Sequence, residues 1–367
     1  MILRPRSLPG AALRAALVAV AAARIARGAR RSPPIGTEIP KDVEPSSFDP
    51  AQVTVVIPAR DEAARIGPCV RALVPTGVRV FVVDDGSTDA TRAIAEDAGA
   101  TVRDAGALPP GWAGKAHALQ VGLEAAETAV VVAVDADTRP GPRFLPAAVR
   151  SLGSRTLVTA GARVDAPDPL GRLVHASMLA TLVYRFGPPG VAARSVERTM
   201  ANGQCMVMDR RAVLEAGGFT AVAGSLTEDV ALARHLARAG HAVAFDDATD
   251  VIDVEGYGSA RDTLDGWGRS LALREVTTAP WMVADLAVLW SAFALPPVRL
   301  ATGRGDVVDV VALGLRAGVA VVTTGAFRER GWSLALAPLA DLPVVAALTR
   351  GAMRPDRSWK GRDYERV

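Results

Sequence analysis

The chain has 367 residues, 42 Lys and Arg against 39 Asp and Glu, and a net charge of only +3. Half of it is hydrophobic and its mean hydropathy is +0.21, a surplus of apolar residues for a soluble enzyme that must sit in particular segments. The charge shows no aromatic-interleaved basic stripe, which argues against nucleic acid as a partner, and two cysteines, Cys69 and Cys205, with no metal or pairing spacing rule out a disulfide framework and fit a reducing cytosolic face.

In chain order, Leu8–Ala29 is alanine-rich with Arg14, Arg24 and Arg27 inside it. Its clean apolar core, Ala15–Ala23, is too short to span a bilayer. It reads as an interfacial helix with its arginines toward headgroups, or as an uncleaved signal-anchor. Pro33-Pro34 through Pro50 then reads as an extended tether. The chain divides into 1–50 (helix and tether), 51–275 (alternating strands and helices), 276–350 (membrane helices) and 351–367 (basic tail).

Three apolar strands follow, each ending in acid. Val53–Ile57 ends in Pro58-Ala59-Arg60-Asp61-Glu62, and a helical stretch runs on to Leu73. Val78–Val83 ends in Asp84-Asp85-Gly86-Ser87-Thr88-Asp89, and Thr91–Ala98 is helical. Gly111-Trp112-Ala113-Gly114-Lys115-Ala116-His117 opens a helix that leads into a third strand, Val130–Val134, ending in Asp135-Ala136-Asp137. Strands alternating with helices predict βαβ units and a parallel sheet, with the three acidic loops on one edge. Ligands of such sheets collect beyond the carboxyl ends of the strands. Two carboxylates at i and i+2 there suit a hard divalent cation shared with substrate phosphates, although the same pair could cap a following helix.

The pieces IPARDE, VVDDGSTD, WAGKAHAL and VDAD, in that order, resemble the signature of family 2 glycosyltransferases of the GT-A fold. Leu226-Thr227-Glu228-Asp229 resembles that family's TED segment, and Gly266-Trp267-Gly268-Arg269 resembles a degenerate form of its late Arg/Trp motif. The closing Trp359-Lys360-Gly361-Arg362-Asp363-Tyr364 looks like bacterial members near the hopanoid and carotenoid glycosyltransferases. The resemblance covers about residues 52 to 275. It implies an α/β catalytic domain with a mostly parallel sheet, a nucleoside-diphosphate sugar donor, Mn2+ or Mg2+ as cofactor, and inversion at the sugar carbon.

Under that resemblance Asp137, with Asp135, holds the cation, and Asp85 accepts a hydrogen bond from the base or ribose. Pro58, Ala59, Glu62, Asp84 and Ala136 line the donor pocket. Lys115 offers an ammonium to phosphate after Gly114, and His117 stands close to the donor. Asp89 reads as a helix cap, and His175, His235 and His241 as structural residues. Asp229, at the start of an amphipathic helix, is the expected catalytic base, with Glu228 orienting the loop or acceptor. Arg269 either clamps the diphosphate or lies at a headgroup, with Trp267 beside it. With one arginine and a displaced tryptophan, the late motif favours a single transfer over processive synthesis. A nucleotidyltransferase shares the fold but has no use for Asp229, and an inactive scaffold has no use for intact Asp85, Asp137 and Asp229.

The remaining segments concern the membrane. Leu170–Phe186 reads as an amphipathic interfacial helix beside the entry of a lipid-like acceptor. Trp281–Leu300, Val307–Phe327 and Trp332–Thr349 approach spanning length, each blemished by charge: Asp285, then Asp309 and Arg316, then Asp341. The expected location is a multi-pass cell-membrane protein with a cytosolic catalytic domain. Arg350, Arg354, Arg357, Lys360, Arg362 and Arg366 crowd the tail and favour the cytosolic membrane surface. Three crossings would put that tail outside, so one stretch is expected not to cross, and Pro296-Pro297 singles out Trp281–Leu300.

Overall fold

The computed structural model describes residues 8–38, 48–270, 276–354, 358–359 and 362–363. Two units interleave along the chain. A helical unit takes Met1–Arg31, Asp165–Val191 and Gly256–Asp356, and a sheet unit takes Ser32–Val164, Ala192–Glu255 and Arg357–Val367. The contiguous segments drawn at 50, 275 and 350 from composition therefore differ from the folded ones. Composition registers where apolar residues accumulate, and not which distant segments pack together.

After α1 (Leu8–Ala26) the sheet unit begins with β1 (Val53–Ala59), α2 (Ile66–Leu73), β2 (Arg79–Asp84), α3 (Thr91–Asp97), β3 (Thr101–Asp104), α4 (Gly114–Ala125) and β4 (Val130–Val134). It continues with β5 (Thr138–Pro140), α5 (Phe144–Leu152), β6 (Leu157–Gly161) and β7 (Arg163–Asp165). Beyond α6 (Pro169–Phe186) come β8 (Cys205–Asp209), α7 (Arg210–Glu215), α8 (Glu228–Arg238), β9 (Val243–Asp247) and β10 (Ile252–Glu255). Seven strands form one sheet in the order β3-β2-β1-β4-β8-β6-β9. The β3-β2-β1-β4 half is parallel throughout, and β8 runs antiparallel between β4 and β6. The valine-rich, largely apolar runs of β1, β2 and β4 are what burial on both faces requires. Pro58 lies past the last β1–β4 pair, Val56 with Ala133, so this donor-less residue sits at a strand end with one neighbour. The supposed tether is anchored where it is described: Ile35 is buried, and its N–H donates to the Asp247 carbonyl at 2.8 Å. Cys69 and Cys205 are buried and free, and burial pushes both thiols up to about 12.

The helical unit comprises α1, α6, α9 (Ala260–Ser270), α10 (Ala279–Leu289), α11 (Leu295–Ala301), α12 (Val307–Thr323), α13 (Trp332–Ala335) and α14 (Asp341–Met353). Its core gathers Val18, Val174, Met178, Tyr184, Phe293 and Val344. Three expectations are corrected here. The Leu170–Phe186 segment is a buried central helix, with Arg172, His175, Ser177, Thr181 and Arg185 inside as well as its apolar residues. The α1 arginines turn to acids instead of headgroups: Arg24 pairs with Asp285 at 2.8 Å, and Arg14 bonds Asp306. Trp332–Thr349 breaks at Pro338 into a short helix, a 3-10 turn and a 13-residue helix.

Among the described residues two helices are long and apolar enough to cross a membrane, Ala279–Ala301 and Val307–Ala326. The first runs straight through Pro296-Pro297 because a π turn at Trp290–Ala294 precedes them. A wider turn relieves the clash of a proline ring with the preceding carbonyls. Of the three apolar stretches, the one too short to cross is thus Trp332–Thr349 and not Trp281–Leu300. The charged blemishes are paired: Arg316 grips Asp341 with two bonds of 2.7 and 2.9 Å, Ser177 adds a third at 2.7 Å, and Arg299 holds Asp309. Leaving either partner of such a buried pair alone costs about 3–5 kcal/mol.

Candidate active site

Because β2, β1 and β4 are parallel neighbours, their carboxyl ends open on one edge of the sheet unit. The loops beyond β1 and β2 are latched together. The Asp61 carboxylate accepts the Thr88 N–H at 2.8 Å, and that bond holds its pKa below the ordinary value. The Asp61 N–H donates to Ser87 Oγ, Glu62 N–H to Thr91 Oγ1, and Ala63 N–H to Asp89 Oδ2. Asp61 pays for this position with a left-handed φ of 51°, a conformation that Asp tolerates better than most residues. Asp89 also accepts the Thr91 N–H at the head of α3, although the backbone cap position itself is Ala90.

The two acids at the end of β2 face different partners. Asp84 closes its own turn by accepting the Ser87 N–H at 2.9 Å, and Arg92 lies 3.5 Å away. Asp85, 4 % exposed, meets two arginines: Arg362 Nη1 at 2.6 Å from Oδ2, and Arg60, whose Nη1 donates to the Asp85 carbonyl at 2.6 Å. Glu62 pairs with Arg65 at 2.7 Å.

Asp135, Ala136 and Asp137 form a turn closed by Thr138, whose N–H and hydroxyl both donate to the Asp135 carbonyl. The next element is the strand β5, so the pair caps no helix. Asp137 Oδ1 is buried without a hydrogen-bond partner, and burial, then the charge of Asp135, pushes its pKa up to about 7. A carboxylate so placed fits a cation. Among the described residues no three acids, histidines or cysteines converge as a complete metal cage. That suits Mg2+ or Mn2+ held by one or two carboxylates, the remaining positions falling to water and substrate phosphates.

Across from this turn, Lys115 Nζ lies 2.7 Å from Asp135 and 3.1 Å from Glu228. Burial opposes its charge, but Asp135 and Glu228 outweigh it and keep the ammonium protonated well past its usual range. Lys115 is therefore clamped between carboxylates instead of projecting alone. Glu228 and Asp229 form the first turn of α8, behind Thr227, whose side chain makes no capping bond. Burial pushes Glu228 up to about 7 against the pull of Lys115, and raises Asp229 as well. Asp229 is fixed by two backbone donors, its own neighbour Val230 and Gly203, each at 2.7 Å.

Sequence reasoning passed over Gly203, Arg60 and Arg362. A Cβ on Gly203 would stand 2.8 Å from Lys115 Nζ and 3.3 Å from Glu228 Oε1, so only glycine lets the loop donate to Asp229 without crowding the clamp. The signal was present in Asn202-Gly203-Gln204, an Asn-Gly turn in which Asn202 bonds the Gln204 N–H at 2.9 Å. His117 packs edge-on against Trp112, its Nδ1 buried without a partner. Trp267 belongs to the helical unit, where it packs against His175. The side chain of Arg269 lies outside the described residues.

A family model described as "Glycosyltransferase like family 2" matches residues 50–262, more than half the chain and every acidic cluster above. The chain belongs to glycosyltransferase family 2. Over 94 residues the chain is 40% identical to the 4,4'-diaponeurosporenoate glycosyltransferase of Staphylococcus aureus, a match spanning 25% of each protein. Among solved structures it resembles a mannosyltransferase from Pyrobaculum calidifontis in complex with GDP-mannose and Mn2+. That likeness has a TM-score of 0.50 and 20% identity over 94% of this chain and 97% of the other. It also resembles the glucosyl-3-phosphoglycerate synthase of Mycobacterium tuberculosis, with 25% identity over 60% and 78% of the two chains and a TM-score of 0.41. This family 2 chain has the GT-A fold.

Proposed function

We propose that this glycosyltransferase moves one sugar, with inversion, from a nucleoside-diphosphate sugar to a lipid-like acceptor at the cytosolic face of a membrane. The observation that carries the reading is Asp229, a carboxylate pinned by two backbone N–H groups beside Glu228 and Lys115. A base for an inverting transfer must be held in one place, on the side away from the leaving group. The acceptor hydroxyl would give its proton to Asp229 as its oxygen bonds to the sugar carbon and the nucleoside diphosphate departs. An acceptor carboxylate would need no base. Asp85, with Ala59 and Glu62, would take the nucleoside end of the donor. Asp137 and Asp135 would hold Mn2+ or Mg2+, which neutralises charge on the diphosphate. The degenerate Trp267/Arg269 motif favours one transfer per donor over polymer synthesis.

The acceptor class rests on other features. The two span-length helices and the exposed Val307, Val310, Val311, Val321 and Val322 of α12 suit lipid more than water. The Staphylococcus relative, by its name, glycosylates 4,4'-diaponeurosporenoate. Nucleoside diphosphate release by the purified protein in liposomes, with extracted lipids as acceptors, tests the whole reading. Asp229→Asn should lower transfer to a hydroxyl at least ~100-fold while donor affinity stays near normal. A variant that loses donor binding but keeps its turnover would remove the base assignment.

A further inference from the structure

The basic C-terminal tail does more than add charge: one of its arginines lies in the site. Arg362 belongs to the same unit as the sheet, and its guanidinium meets Asp85 Oδ2 at 2.6 Å, an ordinary charge-assisted hydrogen bond. Arg60 is 3.8 Å from that oxygen, too far for a hydrogen bond. The buried Asp85 side chain therefore draws its close cationic partner from a residue 277 positions later in the chain. Gly114, at the head of α4, completes the arrangement. A Cβ there would collide with the Asp85 carboxylate and stand 2.7 Å from Arg362 Nη1.

Resting on the reading of Asp85 as a ligand of the donor nucleoside, we propose that Arg362 is a positioning residue of the donor site. The tail residue neutralises Asp85 and fixes the direction in which its carboxylate faces. A buried carboxylate without a partner is costly and turns toward whatever donor it finds. With Arg362 on Oδ2, the orientation of Asp85 is set before the nucleotide arrives, so ordering it is no part of the cost of binding. The tail thereby governs donor affinity in particular, and not acceptor affinity or the proton transfer at Asp229.

The opposite arrangement, in which Arg362 occupies the place of the nucleotide and must be displaced, predicts the opposite sign. The test is calorimetric titration of UDP and of GDP, each with Mn2+, into full-length protein, Arg362→Gln, Arg362→Lys and a chain ending at Arg354. Arg362→Gln and the truncated chain should weaken the nucleoside diphosphate that wild type binds by about tenfold, the scale of one charge-assisted hydrogen bond. Arg362→Lys should recover part of it. In turnover, KM for the donor should rise about as much while kcat at saturating donor falls far less and KM for the acceptor does not move. Unchanged or tighter binding in Arg362→Gln, with wild type binding normally, would overturn the proposal alone. A wild type that binds neither diphosphate would overturn the donor-site reading and this proposal together.

Discussion

Replacing Lys115 by Met, which keeps the length of the stem, would leave Asp135 and Glu228 facing each other without the ammonium that lies 2.7 and 3.1 Å from them. Removing one partner of a fully buried pair costs about 3–5 kcal/mol. Lys115 is one-fifth exposed, so screening reduces this to about 1–3 kcal/mol, or a melting point roughly 2–10 °C lower for a unit of this size. The penalty depends on pH. Glu228 sits at about 7 in the folded protein against an ordinary 4.5, so the folded state holds its proton more tightly than the unfolded chain. Stability linked to this group is fully present below 4.5 and is lost as pH rises to about 7. Without Lys115 the Glu228 value moves higher still, and the loss extends to higher pH. Melting curves of chelator-treated protein between pH 5 and 8 should therefore show wild type and Lys115→Met converging at the acid end and separating toward pH 8. A difference below about 0.5 kcal/mol at pH 7.5, or one that does not change with pH, would refute the clamp as the dominant interaction of Lys115.

Two further outcomes are expected. Asp137→Asn should abolish the rise in melting temperature that Mn2+ with a nucleoside diphosphate gives, while the ligand-free protein melts at or above the wild-type temperature. The unpartnered, raised carboxylate is a cost to the fold, and an unchanged ligand-induced rise would remove the metal role. A cysteine at Ser358 should resist an impermeant thiol reagent in intact cells and label only after lysis, if two helices cross and the tail returns to the cytosol. Labelling from outside would overturn that topology, and Cys69 and Cys205, buried with thiols raised to about 12, should stay silent in the folded protein.

Much of the sheet half was legible because its signals are local. A short β-branched run such as Val130–Val134 reads as a buried strand and is one, and acids at its end lie on the edge where the parallel strands finish. The sequence order of PARDE, DDGSTD, GKAH, DAD and TED therefore carried both the GT-A fold and the candidate residues. Even the helix-cap alternative for Asp135 and Asp137 was a local matter, and it fell once Thr138–Pro140 proved to be a strand.

In the helical half, two long apolar helices were legible, but their packing was misread for the complementary reason. Apolar composition and a spaced arginine look alike whether the helix faces lipid, water or protein. Only the packing pairs Arg24 with Asp285 and Arg316 with Asp341, and only the backbone lets Ala279–Ala301 run through two prolines while Trp332–Thr349 breaks. The same holds within the site. By itself the sequence determined the strands β1, β2 and β4, their edge and its acids. Tertiary structure alone decided that Gly203 holds Asp229, that Lys115 bridges Asp135 and Glu228, and that Arg362 lies against Asp85. Periodicity and motif spacing report what neighbours in the chain do, whereas a contact across 277 residues leaves no trace in the local pattern of either segment.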